Sequence, residues 1–307
     1  MSEQLYKKVM ELDLLQLRYF RTAAKRQHLT QAARELRVAQ PSLSRSIARL
    51  EQELGVSLFD REGRGLRLNE SGRAFLRRVE KLFAELEDGI REAQDLARAG
   101  QAVIRLAVSV PRILPDLLAP FRALHPDVRF RQSMLPTSRL EQALTLGEVD
   151  LVFSTVPPKA PDIVWTPLLE EPIYLVVPAS HRLADRQAVR LVEAADEGFV
   201  SLHEGYGFRQ LTDDFCRQAG FEPNIAFEGD QLDVMAALVT QGLGVAFVPA
   251  LTWRQTRQSG VRRLRIVDPD CKRTIGLAWS KTRYRSRAAE RFGQFVIDYF
   301  AQMQTDL

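Results

Sequence analysis

Leu43, Ile47, Leu50 and Leu54 recur at i, i+4, i+7 and i+11, a spacing that gathers all four onto one stripe of an α-helix. Gln40-Pro41 opens this helix, since proline is tolerated in a first turn, and Gly55 closes it as a C-cap. A shorter helix precedes it. Thr30 reads as the N-cap, Gln31 to Leu36 as the body, and Leu29 as the apolar staple at its entry. Ala32 and Ala33 are small enough to admit a second helix at close range. Arg37-Val38-Ala39 is the only chain left between the two helices, and two short helices so joined follow the helix-turn-helix plan.

The side of the second helix opposite the stripe carries Arg45, with Pro41, Ser42, Arg49 and Gln52 around it. Arginine can make two hydrogen bonds to guanine in a major groove, and glutamine can do the same for adenine. Taken alone, the pattern also fits a plain solvated helix face. Residues 58–68 follow as a hairpin in which apolar residues flank Gly63 and Gly65, with Arg61, Arg64 and Arg67 spaced along it. These cations suit phosphates or a narrow minor groove; an ordinary surface hairpin is the other reading.

Charge is distributed in the same sense. The chain has 307 residues and a net charge of +4, yet residues 1–69 hold 13 Lys and Arg against 8 Asp and Glu, while residues 101–307 hold 24 of each. The excess positive charge therefore sits in the first quarter, as expected of a polyanion-binding module attached to a neutral body. No apolar run approaches the roughly 20 residues needed to cross a bilayer, and the polar start is no secretory signal, so a cytoplasmic protein is expected. Cys216 and Cys271 form no metal-ligand spacing and read as buried or idle thiols.

Residues 70–98 form one uninterrupted helical pattern without proline. Phe75, Val79, Leu82, Leu86, Gly89, Ala93 and Leu96 alternate in steps of four and three, a heptad seam of about three repeats with Gly89 its weak point. A helix packed on its own domain is the alternative. From Ala102 onward short apolar strands alternate with helices, which predicts a mainly parallel α/β sheet. Expected strands are 104–109, 128–134, 149–154, 173–178, 198–202, 225–228, 245–249 and 274–280; expected helices include 114–124, 138–146, 208–219 and 232–241.

An α/β cleft can also house an enzyme. However, His28, His125, His181 and His203 show no His-x-x-x-His spacing, Gly242-Leu243-Gly244 lacks the third glycine of a dinucleotide fingerprint, and neither a Gly-Lys-Ser/Thr loop nor a Gly-x-Ser-x-Gly elbow occurs. A metal centre, a cofactor and enzymatic activity are therefore not expected. A non-specific architectural DNA binder would leave the large α/β region without a role, and a solute-binding protein would need a signal peptide.

Leu17-Arg18-Tyr19-Phe20, Leu29-Thr30-Gln31-Ala32-Ala33, Ala39-Gln40-Pro41-Ser42-Leu43-Ser44-Arg45-Ser46-Ile47, Leu50-Glu51, Leu54-Gly55, Leu58-Phe59 and Arg61 together resemble the N-terminal signature of the LysR-type transcriptional regulators. The likeness runs without a gap from about Leu14 to Phe75, and the later organisation is similar as well. Two departures stand out: Asn69 replaces the usual threonine before the long helix, and nine residues precede Met10, either disordered or upstream of an alternative start. The resemblance implies a winged helix-turn-helix over 12–69, a dimerising linker helix over 70–100 and a two-lobed, periplasmic-binding-protein-like α/β effector domain over 101–307. Lobe one is drawn as 102–176 plus 273–307, and lobe two as 177–272.

On that basis the chain is expected to be a sequence-specific DNA-binding regulator modulated by a small effector. DNA contacts are expected from Thr30, Gln31, Gln40, Pro41, Ser42, Ser44, Arg45, Arg49, Arg61 and Arg64. Effector contacts are expected from Ser109, Arg112, Thr137 and Ser138 of lobe one and from His203, Gly205, Phe208 and Arg209 of lobe two. Arg209 or Arg112 would meet a carboxylate. Helix capping is the other reading of Ser109 and Thr137, and an exposed loop position that of His203. The stretch His203-Glu204-Gly205 with Phe208-Arg209 is similar to the branch of the family that holds the glutamate synthase regulator, which implies a small carboxylate or amino-acid-like effector. Implied partners are double-stranded DNA with an interrupted palindrome, RNA polymerase, and further copies of the chain as a homodimer or homotetramer.

Overall fold

A computed structural model describes residues 12–62, 65–97, 102–255 and 259–305. The chain divides into two compact units, residues 1–90 and 91–307. Among the described residues the first begins with three helices, α1 (Leu14–Arg26), α2 (Leu29–Leu36) and α3 (Gln40–Leu54). Asp13 caps α1 by accepting the Leu15 amide at 2.9 Å, and the Gln16 side chain in turn accepts the Asp13 amide at 3.1 Å. Gly55 ends α3 at φ +74°, a left-handed cap that glycine adopts without strain. Phe20, Ala23, Ala24, Ala32, Ala33, Leu43, Ile47 and Leu50 are all buried in one core, the alanines letting the three helices close on one another.

The hairpin is β1 (Phe59–Glu62) and β2 (Gly65–Leu68), antiparallel with Phe59 opposite Leu68. Helix α4 (Glu70–Ala97) starts at Asn69, whose side chain accepts the Gly72 amide at 2.8 Å. Asn69 is thus the N-cap of α4. A side chain at Gly72 would fall 2.0 Å from the Leu58 carbonyl oxygen, so only glycine lets α4 pass this close to the wing. The seam read along α4 needs correction at its start. Phe75 and Val79 serve the head's own core, Phe75 lying 5.2 Å from the Phe20 ring. Leu82, Leu86, Ile90 and Leu96 remain exposed.

The second unit holds β3 (Val103–Val108), α5 (Leu114–Leu124), β4 (Arg129–Ser133), α6 (Thr137–Thr145), β5 (Leu151–Ser154), β6 (Ile163–Pro178), β7 (Ala188–Arg190) and β8 (Gly198–Leu202). It continues with α7 (Gly207–Gln218), β9 (Asn224–Gly229), α8 (Leu232–Thr240), β10 (Ala246–Pro249), α9 (Ala250–Gln255), β11 (Val261–Asp268), β12 (Lys272–Ser280) and α10 (Arg287–Thr305). The sheet is mixed rather than mainly parallel. β3 pairs in parallel with β4 and β5, and β8 with β9, but every partner of β6 is antiparallel to it. β6 pairs with β12 up to Pro172 and with β10 and β11 from Ile173 onward, so one strand serves two lobes. Each lobe has its own core, one around Leu106, Phe121, Phe153 and Phe292 and one around Leu175, Phe199, Phe247 and Leu264.

Cys216 and Cys271 are both buried in the second lobe's core, and burial pushes each thiol up to about 12. Thiolate is the reactive form. The native protein is therefore expected to leave both thiols unlabelled by a thiol reagent at about pH 7.5, well below the raised values, and to release both only on unfolding. Rapid labelling of either under native conditions would contradict their placement.

Candidate DNA-reading face and effector cleft

Leu43, Ile47 and Leu50 turn into the head, and the opposite side of α3 is open. Gln40, Pro41, Ser42, Arg45, Arg49 and Gln52 are exposed, whereas Ser44 is half-buried on the flank. Arg45 meets no carboxylate among the described residues. Arg49 donates to Glu53 at 2.7 Å on the same helix, an exposed i,i+4 pair that water and salt weaken. The face thus presents guanidinium, hydroxyl and amide groups on a helix whose other side is fixed by packing.

Thr30 and Gln31 are exposed, but Thr30 does not cap α2. The helix already begins at Leu29, and the His28 Nδ1 accepts the Gln31 amide at 3.4 Å. A histidine is a less usual cap than threonine, which is why the sequence favoured the wrong residue. Glu51 has a role that the sequence did not reveal. Its Oε1 accepts the amides of Leu58 and Phe59 at 2.7 and 3.2 Å, tying the end of α3 to the wing. The Arg61 side chain and Arg64 lie outside the described residues.

In the second unit, Ser109 follows the end of β3. Its amide and its hydroxyl both donate to the Phe153 carbonyl, at 2.9 and 3.2 Å, so it fastens two strand ends rather than capping a helix. Arg112 is half-buried in the turn that leads into α5. Thr137 opens α6 but does not cap it; its Oγ1 accepts the Gly207 amide of lobe two at 3.1 Å. A Cβ at Gly207 would sit 3.1 Å from that oxygen and 3.3 Å from Val156, so glycine permits this approach between the lobes. Ser138 is exposed beside it.

Across the cleft, Gly205 turns at φ +91°, a conformation that favours glycine. His203 is exposed with its Nδ1 3.5 Å from Glu228 and its Nε2 3.9 Å from Asp230, while the Tyr206 hydroxyl donates to Asp230 at 3.1 Å. Phe208 packs against the core around Leu175 and Phe199 and against a second buried cluster of the same lobe around Val200 and Met235. Arg209 is not the open cation expected. It is 8% exposed, its Nε donates to Asp213 at 2.7 Å, and its Nη1 donates to Glu228 at 2.7 Å and to the Leu202 carbonyl at 3.0 Å. Burial opposes its charge, but the bonds to Glu228 and Asp213 prevail and hold its pKa above the ordinary arginine value. Two internal carboxylates already occupy it.

A different buried arginine stands where the lobes join. Arg273, on β12, donates from Nε to the Glu171 Oε1 of β6 at 2.7 Å, and Glu171 Oε2 accepts the Leu251 amide of α9 at 2.7 Å. Both side chains are 3–4% exposed. The Arg273 guanidinium also lies 5.3 Å from the centre of the Phe208 ring. Hinge strands and cleft helix are therefore joined through one ion pair. Among the described residues no group of His, Cys, Asp and Glu is arranged to hold a metal ion, and no helix is long and apolar enough to cross a membrane.

Comparison with known proteins agrees with this architecture. Residues 14–73 match the bacterial regulatory helix-turn-helix proteins of the lysR family, and residues 97–301 match the LysR substrate binding domain. The HTH-type transcriptional regulator YybE of Bacillus subtilis is 40% identical over 291 residues, covering 94% of this chain and 99% of that protein. The transcriptional dual regulator GltC of the same organism is 33% identical over 297 residues, covering 95% and 99%. A full-length OxyR variant from Pseudomonas aeruginosa superposes with a TM-score of 0.64 at 26% identity, covering 94% and 95%.

A helix-turn-helix head followed by a ligand-binding body defines a DNA-binding transcription regulator, not an enzyme. The chain belongs to the LysR family, and its second unit is that family's effector-binding domain.

Proposed function

We propose that this regulator reads a two-fold symmetric, interrupted operator through the Arg45 face of α3, and that a small carboxylate or amino-acid-like effector bound between the lobes sets how it does so. The supporting observation for the first part is the exposure of Arg45 directly across the helix from the buried Leu43, Ile47 and Leu50. The second is supported by the Thr137–Gly207 hydrogen bond, which makes closure of the lobes sensitive to whatever enters beside it. Thr137, Ser138, His203 and Gly205 are the contacts favoured for the effector, with Ser109 and Arg112 behind them. Leu82, Leu86 and Ile90 supply an exposed apolar stripe on which a second copy would dimerise through α4, giving a homodimer and, by further pairing, a homotetramer. A ligand that prefers one arrangement of lobes or subunits shifts the population of DNA-bound forms, and so the access of RNA polymerase in the cytoplasm.

Gel shift and footprinting on the upstream region test the reading of DNA. Equal affinity for upstream and random DNA at moderate salt would contradict it. A thermal-shift series of small carboxylates and amino acids tests the cleft, because a ligand held only by the native state at about 100 times its Kd adds about 2.7 kcal/mol of stability. The effective compounds are expected to raise the melting temperature by several degrees and to change the footprint; a compound series that moves neither would contradict the cleft assignment.

A further inference from the structure

Five arginines of lobe two are matched by carboxylates. Arg182 meets Glu197, Arg186 meets Glu193, Arg190 meets Asp268, Arg209 meets Asp213 and Glu228, and Arg217 meets Asp214. Arg262, Arg263 and Arg265 on β11 differ. All three are exposed, none pairs with a carboxylate among the described residues, and all line one shallow cavity of about 310 Å³ together with Tyr174 and Arg186. None of its lining residues belongs to the cleft.

The cavity is shaped as well as charged. The Arg263 guanidinium lies 5.0 Å from the Tyr174 ring centre and 5.9 Å from that of Trp253. Stacking uses the faces of a guanidinium and leaves its in-plane N–H donors pointing outward, in the fork that grips two oxygens of one oxyanion. Arg265 stands two residues along the strand and hence on the same side, roughly 6.6 Å away. Tyr174 is its register partner on β6, so the aromatic ring and both arginines share one face of the sheet. A monocarboxylate would neutralise only one of the charges gathered here; an anion with charge of two or more matches the group.

We propose that this face of lobe two is a second anion site that binds phosphate groups, separate from the effector cleft. The phosphates come either from a phosphorylated small molecule or from the backbone of DNA flanking the operator. Calorimetry of the full-length protein with inorganic pyrophosphate, and the salt dependence of its affinity for upstream DNA, separate the two. Wild type is compared with R263Q/R265Q and with R265Q alone, whose loss leaves the Arg263 stack on Tyr174 and Trp253 in place.

Pyrophosphate affinity is expected to fall at least tenfold in the double variant and several-fold in R265Q, with melting temperatures unchanged. If the source is DNA, the slope of log K against log salt also shrinks, by about 1.8 in the double variant and about 0.9 in R265Q, since each phosphate contact contributes about 0.9. If it is a small molecule, the slope stays at the wild-type value. Variants that bind pyrophosphate as wild type does, or a wild type that does not bind it, with slopes equal in either case, would overturn the proposal. Failure of every form to prefer upstream DNA would count against the reading of α3 and leave the pyrophosphate comparison standing.

Discussion

Replacing Arg273 with alanine is expected to destabilise the effector domain by roughly 3–5 kcal/mol, the range found when one partner of a buried ion pair is removed. The cause lies with the residue left behind. Glu171 is as deeply buried as Arg273, and with the guanidinium gone its carboxylate is left buried without its cation, although it still accepts the Leu251 amide. Phe208 would lose the cation on its ring in the same step. Because β6 and β12 carry the pair from one lobe to the other, lobe closure should weaken along with stability. Urea denaturation monitored by circular dichroism checks the loss as a lower midpoint at unchanged slope. The combined change Glu171→Leu with Arg273→Met should recover most of it, because no buried charge then remains. A loss below about 1 kcal/mol for the single change would mean that the pair is solvated, as surface pairs are, and would remove it as the joint between the lobes.

Phe20→Ala should have a comparable effect on the other unit, roughly 3–5 kcal/mol for emptying a large buried aromatic position. Phe20 is fully buried, and its ring meets Phe59 of the wing at 5.6 Å and Phe75 of α4 at 5.2 Å. Three elements therefore converge on one side chain: the helix that braces α3, the hairpin and the long helix. A head this small has little stability to spare, so the variant should lose operator binding entirely while the effector domain retains its ligand-induced thermal shift. Operator affinity close to that of wild type would show that the head's core does not rest on this ring.

The head was legible because its signals are local. The stripe from Leu43 to Leu54, the glycine at 55 and the asparagine at 69 each specify a short-range structure that tertiary contacts do not override. The body was less so, for a physical reason. β6 runs 16 residues, but Pro167, Pro172, Glu170 and Glu171 interrupt its apolar pattern, and only the second half reads as a strand. Arg262, Arg263 and Arg265 similarly hide β11, whose outer face is solvent rather than core. Strand direction is a long-range property, so the expectation of mainly parallel pairing failed at β6, where β10, β11 and β12 all return against it.

Site residues divided along the same line. Arg45 could be placed from helix periodicity alone. Arg209 could not, because the carboxylates that occupy it come from Asp213 one turn on and from Glu228 on another strand. Nor could Arg273, whose partner lies 102 positions away. Periodicity gives the direction in which a side chain points; it does not give what waits there.

Competition gel shift with Arg45→Ala, at fixed salt on upstream DNA and on the same DNA with its sequence shuffled, tests the central claim most directly. Base readout costs about 1–3 kcal/mol when one bidentate arginine is lost. The preference for upstream over shuffled DNA should therefore fall roughly 5- to 150-fold, with affinity for the shuffled DNA nearly unchanged. An equal loss on both DNAs would make Arg45 a phosphate contact and contradict the claim that the exposed side of α3 reads sequence.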